Sequence, residues 1–187
     1  PPDLETRIAI LRKKAEEALI SQIKRSRDIF DVFSIPVYDK EGFEADDILG
    51  TIVEKLKDNR DVEVVIASGD MDTLQLVRGK QVRVYTLKKG INDTIMYDEE
   101  AVKTRFGFPP KLLPDYKGLR GDPSDNIIGI QGIGEKTATT LIQNFGSIES
   151  LYKKLKKDKT VFVDAGIKDR IIELLLAHEE EALFSKT

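Results

Sequence analysis

The spacing of apolar residues predicts a helical start to the chain. Between residues 4 and 33, apolar side chains recur at helical spacing with charged residues between them. Pro1, Pro2 and Asp3 precede this pattern and are typical of a helix start, with Asp3 as the N-cap. We predict one long amphipathic helix, or two helices joined near residues 19–21.

An alternation of strands and helices follows and predicts an α/β fold. Residues 62–67 form a nearly continuous apolar run, as expected for a strand that is covered on both faces. The other elements predicted here are a short strand at 35–38, a helix at 45–57, a helix-like turn at 72–77 and an alternating strand at 81–86. This order implies a parallel sheet with right-handed crossovers.

The pattern is helical from residue 97 onwards. Capping residues, prolines and glycines divide this half of the chain into separate helices. We predict helices at residues 98–106, from 110 to 118 or 121, from 122 onwards, and at 134–144, 147–157 and 168–184.

Seven carboxylates fall in three short clusters, each at the end of a predicted strand or the start of a predicted helix. In an α/β sheet, these positions present functional groups. If the clusters converge, their repulsion requires neutralising cations, and carboxylates without His or Cys favour Mg²⁺ or Mn²⁺ over zinc. We therefore predict metal-assisted phosphoryl chemistry at Glu44, Asp46, Asp47, Asp70, Asp72, Asp122 and Asp125.

Each cluster also has a purely structural interpretation. Acids in a first helical turn, as at residues 44–47, usually serve the cap and the helix dipole. Asp70 and Asp72 could form a polar turn after a strand, although their alternation in extended backbone would point both the same way. Asp122 as N-cap, with Asp125 three residues later, makes a satisfactory helix start without any metal.

The glycine-rich segment at residues 129–137, GIQGIGEKT, predicts a helix-hairpin-helix. It lacks the Gly-Lys-Thr contiguity of a P-loop, and no strand precedes it. Gly132 and Gly134 allow the backbone to approach a phosphate, which the amides of the following helix can bind. Lys136 and Thr137 can add contacts, and such binding reads the phosphate backbone rather than the base sequence. A plain glycine turn between helices is the alternative.

Composition and charge narrow the class of protein. The formal net charge is −3, but basic residues are concentrated at 7–27 and 153–159. If a metal neutralised the acids, the remainder would suit a polyanion; solvated helix faces are the alternative. The chain has no cysteine, which excludes thiolate sites and favours a reducing compartment. Since no apolar stretch is long enough for a bilayer and no signal-peptide pattern is present, we expect a cytoplasmic protein.

Four segments resemble the 5′-nuclease domain of bacterial DNA polymerase I, of the flap endonuclease family, in family order and spacing. They are GFEADDILGT, IASGDMDTLQL, YKGLRGDPSDNIIGIQGIGEKTA and FGSIESLY, and the match runs from about Gln22 to the C-terminus. The implied fold is a PIN-like α/β nuclease core with a parallel sheet, followed by a helical region with a helix-hairpin-helix. We expect three parts: an N-terminal helix of uncertain origin at 1–21, a partial nuclease core at 22–97 and a helical DNA-binding region at 98–187.

The resemblance also implies an activity and its site. The activity is a divalent-metal-dependent 5′-3′ exonuclease or structure-specific flap endonuclease that acts on DNA in replication and repair. The seven carboxylates would ligate Mg²⁺ or Mn²⁺ in a two-metal site, directly or through water. Gly132 and Gly134 would bind duplex phosphate, and carbonyl groups of the hairpin would hold K⁺.

The residues before Gln22 depart from the family. Family members begin with strand-borne metal ligands and a basic helical arch, whereas residues 1–17 resemble a short segment of the bacterial replication-initiator ATPase. We therefore expect this chain to bind branched or duplex DNA and to cleave it far more slowly than a complete family member does. The alternative is a non-catalytic duplex-DNA-binding module; a single-strand ribonuclease of the PIN type is disfavoured by the hairpin. A polymerase domain in a longer parent chain stays open.

Overall fold

The first element of the chain is a single long helix. The computed structural model describes residues 4–90 and 92–186. This helix, α1, spans Leu4–Val32. It runs through residues 19–21 without a break, so the one-helix alternative is correct. Asp3, the predicted N-cap, lies outside the described residues.

The chain divides into two compact units, Pro1–Ile48 and Leu49–Thr187, which we describe separately. In the first unit, the predicted strand at residues 35–38 is wrong, because this segment has no regular secondary structure. Pro36 lacks the backbone N–H that a strand ladder needs, and no described strand pairs with it. The helix predicted at 45–57 is confirmed as α2, Ala45–Leu56.

The second unit contains a sheet of three described strands in the order β1-β2-β3. β1 (Val64–Ala67) pairs with β2 (Val82–Leu87) in parallel, as predicted. β3 (Thr94–Tyr97) pairs with β2 antiparallel and was not predicted, so the sheet is mixed. A short connection between β2 and β3 allows only the antiparallel arrangement, because a parallel partner would need a long crossover.

The prediction that the first of these strands is covered on both faces is wrong. In β1, Ile66 is buried whereas the Val65 side chain is 49% exposed. β2 shows the same one-sided burial, with Val82 and Val84 inside and Tyr85 exposed. The continuous apolar run therefore reflects β-branched strand formers, and not a second covering layer.

Helices make up the remainder of the second unit. The crossover between β1 and β2 is a 3₁₀ helix, Met71–Leu76, as the helix-like turn at 72–77 predicted. The later helices are α3 (Glu99–Phe106), α4 (Leu113–Arg120), α5 (Glu135–Phe145), α6 (Ile148–Lys157), α7 (Thr160–Asp164), α8 (Asp169–Ala177) and α9 (Glu179–Lys186).

Two of the helix predictions for this half are corrected. The helix expected from residue 122 is only a 3₁₀ turn, Pro123–Asp125, because Asn126 turns into the left-handed region with φ 58°. The helix expected at 168–184 is two helices, α8 and α9, which are interrupted at His178. The short helix α7 was not predicted.

The core of the second unit lies between the helices and one face of the sheet. Leu119, Leu141 and Leu151 are fully buried there. The rings of Phe145 and Phe162 stack with centroids 3.9 Å apart, which ties α5 to α7. Among the described residues, no helix combines the length and the apolar character that crossing a bilayer would require.

Candidate functional site

Three of the seven predicted carboxylates come together in the second unit. One carboxylate oxygen from each of Asp72, Asp122 and Asp125 lies within 4.8 Å of the other two. Asp72 comes from the crossover after β1, and the other two from the loop after α4. This group thus joins members of two of the three clusters for which the sequence raised the possibility of convergence.

A local cap positions Asp72. The Asp70 carboxylate is the N-cap of the 3₁₀ helix, where its Oδ1 accepts the Asp72 N–H at 2.9 Å. The Thr73 hydroxyl donates to the Asp70 carbonyl at 2.6 Å. Asp70 thus performs the structural role that its position allowed, and within the described residues it is not a member of the three-carboxylate group.

A closed loop positions Asp122. Its backbone N–H donates to the Ile127 carbonyl at 2.8 Å, and the Ile127 N–H donates back to its carbonyl at 2.9 Å. At the ends of this loop, Gly121 and Gly129 lie backbone against backbone. A Cβ on Gly129, where φ is 61°, would lie 2.2 Å from the Gly121 nitrogen. Only glycine fits there, so the sequence of the loop determines its shape.

The same loop carries Asp125 at the end of the 3₁₀ turn. The Asp122 Oδ1 accepts hydrogen bonds from the N–H and the hydroxyl of Ser124, at 3.1 and 2.6 Å. The structural interpretation of Asp122 as an N-cap is therefore correct as well. It does not exclude a metal, because both hydrogen bonds of the cap use Oδ1 and neither uses Oδ2.

Lys117 lies among these three carboxylates, and sequence reasoning missed it. Its ammonium pairs with Asp72, lies 2.7 Å from Asp122 Oδ2 and 3.7 Å from Asp125 Oδ2. The Lys117 side chain is 19% exposed and its Nζ atom is shielded from solvent. The sequence did carry a signal that could have pointed to Lys117, because this lysine lies shortly before the two acids of the third cluster.

The lysine and the burial of the site shift the pKa values of the carboxylates in different directions. Burial raises the pKa of Asp72, an effect that outweighs the ion pair with Lys117. The contact with Lys117 and the hydrogen bonds from Ser124 lower the pKa of Asp122 to about 2. For Lys117 itself, burial alone would lower the pKa, but the contacts with Asp122 and Asp72 outweigh burial and raise it.

The remaining predicted ligands begin α2 and belong to the first unit. Asp46 and Asp47 occupy the first turn of the helix. The Glu44 N–H donates to Asp47 Oδ2 at 2.9 Å, which is the cap expected from the structural interpretation. Their assignment as metal ligands stays a prediction.

The predicted hairpin lies between α4 and α5. Ile130 and Ile133 are buried, whereas Gly132 and Gly134 are exposed between and after them. Gly132 has φ 97°, a conformation that L-residues rarely adopt.

The start of α5 is open to the outside. Gly134 is the N-cap of α5 in ordinary extended backbone, and a Cβ there would meet no heavy atom within 4 Å among the described residues. Neither strain nor internal packing explains this glycine, so the free space in front of it fits a group from outside. Lys136 is exposed and Thr137 half-buried in the same turn.

The donor set of the three-carboxylate group fits a hard divalent cation. Carboxylate oxygens are the ligands that such ions prefer, and Mg²⁺ commonly uses only one or two carboxylates beside water. The described part of the chain offers three such oxygens at one place, on elements that local hydrogen bonds hold in position.

Two family models account for nearly all of the chain. Residues 9–107 match the 5′-3′ exonuclease N-terminal, resolvase-like domain, and residues 108–187 match the 5′-3′ exonuclease C-terminal SAM fold. The chain belongs to the 5′-3′ exonuclease family. The predicted family and the predicted fold of a nuclease core followed by a helical region are confirmed. The match begins at residue 9, so it includes residues that the motifs left outside the resemblance.

The curated relatives are much longer proteins. The chain is 40% identical over 177 residues to DNA polymerase I of Caldicellulosiruptor bescii, covering 94% of this chain and 20% of that protein. It is 38% identical over 173 residues to DNA polymerase I of Bacillus subtilis, covering 88% of this chain and 19% of that protein. The chain therefore spans about a fifth of the length of these relatives.

Solved structures of exonucleases have the same fold. A structure of T5 5′-exonuclease with bound zinc ions has a TM-score of 0.72 and 25% identity, covering 92% of this chain and 60% of that chain. The T5 D15 protein co-crystallised with metal ions has a TM-score of 0.71 and 25% identity, with the same coverage. Both neighbours were solved with metal ions.

Proposed function

We propose that this chain provides a divalent-metal-dependent 5′-3′ exonuclease or flap endonuclease site that hydrolyses phosphodiester bonds of DNA during replication and repair. The observation that carries this proposal is the convergence of Asp72, Asp122 and Asp125. Family membership supports it, as do the metal ions bound to T5 5′-exonuclease.

The roles of the acidic residues follow from this proposal. Asp72, Asp122 and Asp125 hold one cation, Mg²⁺ or Mn²⁺, while Asp70 both caps the crossover and contributes to the acidic field. That Glu44, Asp46, Asp47 and Asp70 also serve as metal ligands stays the prediction made from the sequence. Divalent cations at such a site stabilise the charge on the attacking and leaving oxygens of a phosphodiester.

The start of α5 supplies the DNA contact in this proposal. The open space at Gly134, the exposed Lys136 and the amides of the first turn suit a backbone phosphate of duplex or 5′-flap DNA. Thr137 adds a hydroxyl, and hairpin carbonyls near Gly132 hold K⁺. Beside this turn runs an open groove of about 420 Å³, lined by Arg105, Phe106, Glu135, Lys136, Thr139 and Thr140.

A non-catalytic duplex-DNA-binding module is the second candidate. It is favoured by the open space at Gly134, because this feature belongs to the hairpin and does not depend on the carboxylates. Binding without cleavage is the outcome that separates the two functions.

Flap cleavage tests the proposal. A labelled 5′-flap duplex is incubated with the chain in Mg²⁺ under single-turnover conditions, and binding of the same substrate is measured in Ca²⁺. We expect cleavage in Mg²⁺ that is lost in Asp122→Asn and kept in Glu180→Gln, a matched change on the exposed part of α9. Binding in Ca²⁺ should survive both substitutions.

Two results would contradict the proposed nuclease. Tight binding with no metal-dependent cleavage by the wild type would favour the binding module. Cleavage that Asp122→Asn leaves unchanged would show that this group of carboxylates is not the site of hydrolysis.

A further inference from the structure

The unusual feature of the acidic group is that a cation of the protein itself occupies its centre. Among the described residues, three carboxylate oxygens converge within 4.8 Å of one another. The Lys117 ammonium pairs with Asp72 and lies 2.7 Å from Asp122 Oδ2. Asp72 and Asp122 are two of the three carboxylates that a metal ion would use.

We propose that Lys117 is a built-in counter-cation, which holds the acidic group together before metal binds and which the metal must displace. This inference rests on the proposed metal site and adds a residue that controls how that site is loaded. Lys117 is then a positioning residue that also weakens metal binding. It keeps the carboxylates in place for the metal, and it competes with the metal for the same carboxylates.

Competition follows from the distances. A divalent ion binds carboxylate oxygens at about 2.0–2.6 Å, with its charge as close as the oxygens allow. An ammonium 2.7 Å from the same Asp122 oxygen occupies the coordination space and repels the incoming ion. Both cations cannot make their best contacts at once, so tight metal binding requires the ammonium to move.

The fold gives Lys117 the means to move. Its Cα is fixed on α4, but its four-carbon stem is flexible. A small cavity of about 30 Å³ lies along the stem, lined by Met71, Asp72, Gln75, Leu113, Pro114 and Lys117. Asp122 and Asp72 are in turn held by Ser124 and Asp70, so the acids stay in place while the lysine exchanges.

Lys117→Met tests the inference, since methionine keeps most of the stem and removes the charge. We expect this variant to melt at a lower temperature than the wild type in EDTA, because the repulsion among the acids is no longer compensated. We expect it to bind Mn²⁺ about tenfold more tightly by titration calorimetry, a change within the usual range of coupling between two ligands. Lys153→Met, an exposed lysine on α6, is the matched control.

Amine labelling of the wild type provides a test that needs no variant. Brief treatment with acetic anhydride, followed by mass spectrometry, measures the exposure of each lysine ammonium with and without Mn²⁺. We expect Lys117 to be protected in EDTA and to react several-fold faster in Mn²⁺, with Lys153 unchanged. This measurement also decides the matter if Lys117→Met fails to fold.

The outcomes separate the inference from the function on which it rests. If the wild type binds no Mn²⁺, the proposed metal site fails and the inference fails with it. If the wild type binds Mn²⁺ but Lys117→Met binds it no more tightly, or Lys117 stays protected in Mn²⁺, the metal site stands and the counter-cation role is wrong.

Discussion

The Ser185 hydroxyl in α9 accepts a hydrogen bond from the backbone N–H of Gly129 at 3.1 Å. Gly129 closes the loop that carries Asp122 and Asp125. The last described helix therefore helps to hold the candidate metal loop although it contributes no carboxylate to the group. Sites of this kind depend on the residues that orient the ligands as well as on the ligands themselves.

Ser185→Ala should loosen this loop. The Gly129 N–H would lose its partner, and we expect a loss of about 1 kcal/mol in the free energy of unfolding, together with weaker Mn²⁺ binding. Urea denaturation and titration calorimetry measure the two effects. Thr140→Ala removes a hydroxyl whose hydrogen bond in the described part of the chain goes to Lys136 of the same helix, and it should leave Mn²⁺ binding unchanged. Equal Mn²⁺ affinities for Ser185→Ala and the wild type would contradict this role.

Gly129→Ala should damage the metal loop, whereas Gly134→Ala should not. The added methyl group of Gly129→Ala would overlap the Gly121 backbone and strain a residue at positive φ, costing at least about 2 kcal/mol. The methyl group of Gly134→Ala meets no described atom within 4 Å, so the melting temperature of this variant should stay within about 1 °C of the wild type, since a compatible surface change has little effect. Its affinity for duplex DNA should fall. If Gly134→Ala binds DNA as well as the wild type does, the hairpin does not make the proposed DNA contact.

Asp115 should be essential for stability. It is 2% exposed, and its Oδ1 accepts the Ile148 N–H at 2.8 Å and lies 2.7 Å from Lys186 Nζ. Asp115→Ala leaves both donors without this acceptor and should cost about 3 kcal/mol. Asp115→Asn keeps a carbonyl oxygen for the Ile148 N–H and should cost less. Chemical denaturation measures the free energy of unfolding of both variants. Equal losses for Asp115→Ala and Asp115→Asn would show that only the charge of Asp115 matters.

Glu149 should make stability sensitive to acid. Contact with the Lys186 ammonium lowers the pKa of Glu149 to about 2, below its value of 4.5 in an unfolded chain. The resulting stabilisation is complete above about pH 4.5 and is lost as the pH falls through 2. Because the Glu149 side chain is 58% exposed, solvent screening keeps it below about 1 kcal/mol.

Comparison with Glu149→Gln tests this pH dependence. The wild type should be the more stable protein at pH 6, and the difference should shrink between pH 4.5 and 2. High salt should reduce the difference at pH 6. A difference that is independent of pH would show that packing, and not charge, accounts for it.

Local signals predicted most elements of the second unit. Asp98 accepts the Ala101 N–H and begins α3, and Ser147 begins α6, because a cap acts within one helical turn. The strand β3 and the break at His178 were missed. β3 depends on pairing with β2, and the helical pattern continues through the break, so neither feature has a strong signal over a few residues.

The sequence by itself determined the family, the three clusters of carboxylates and the glycines of the hairpin. These properties depend on residue type and on spacing along the chain, and both are given by the sequence alone. Only the tertiary structure decided that Asp72 meets Asp122 and Asp125, and that Lys117 lies among them. Packing of α4 beside the crossover after β1 brings distant segments together, and the charge balance of the site follows from that packing.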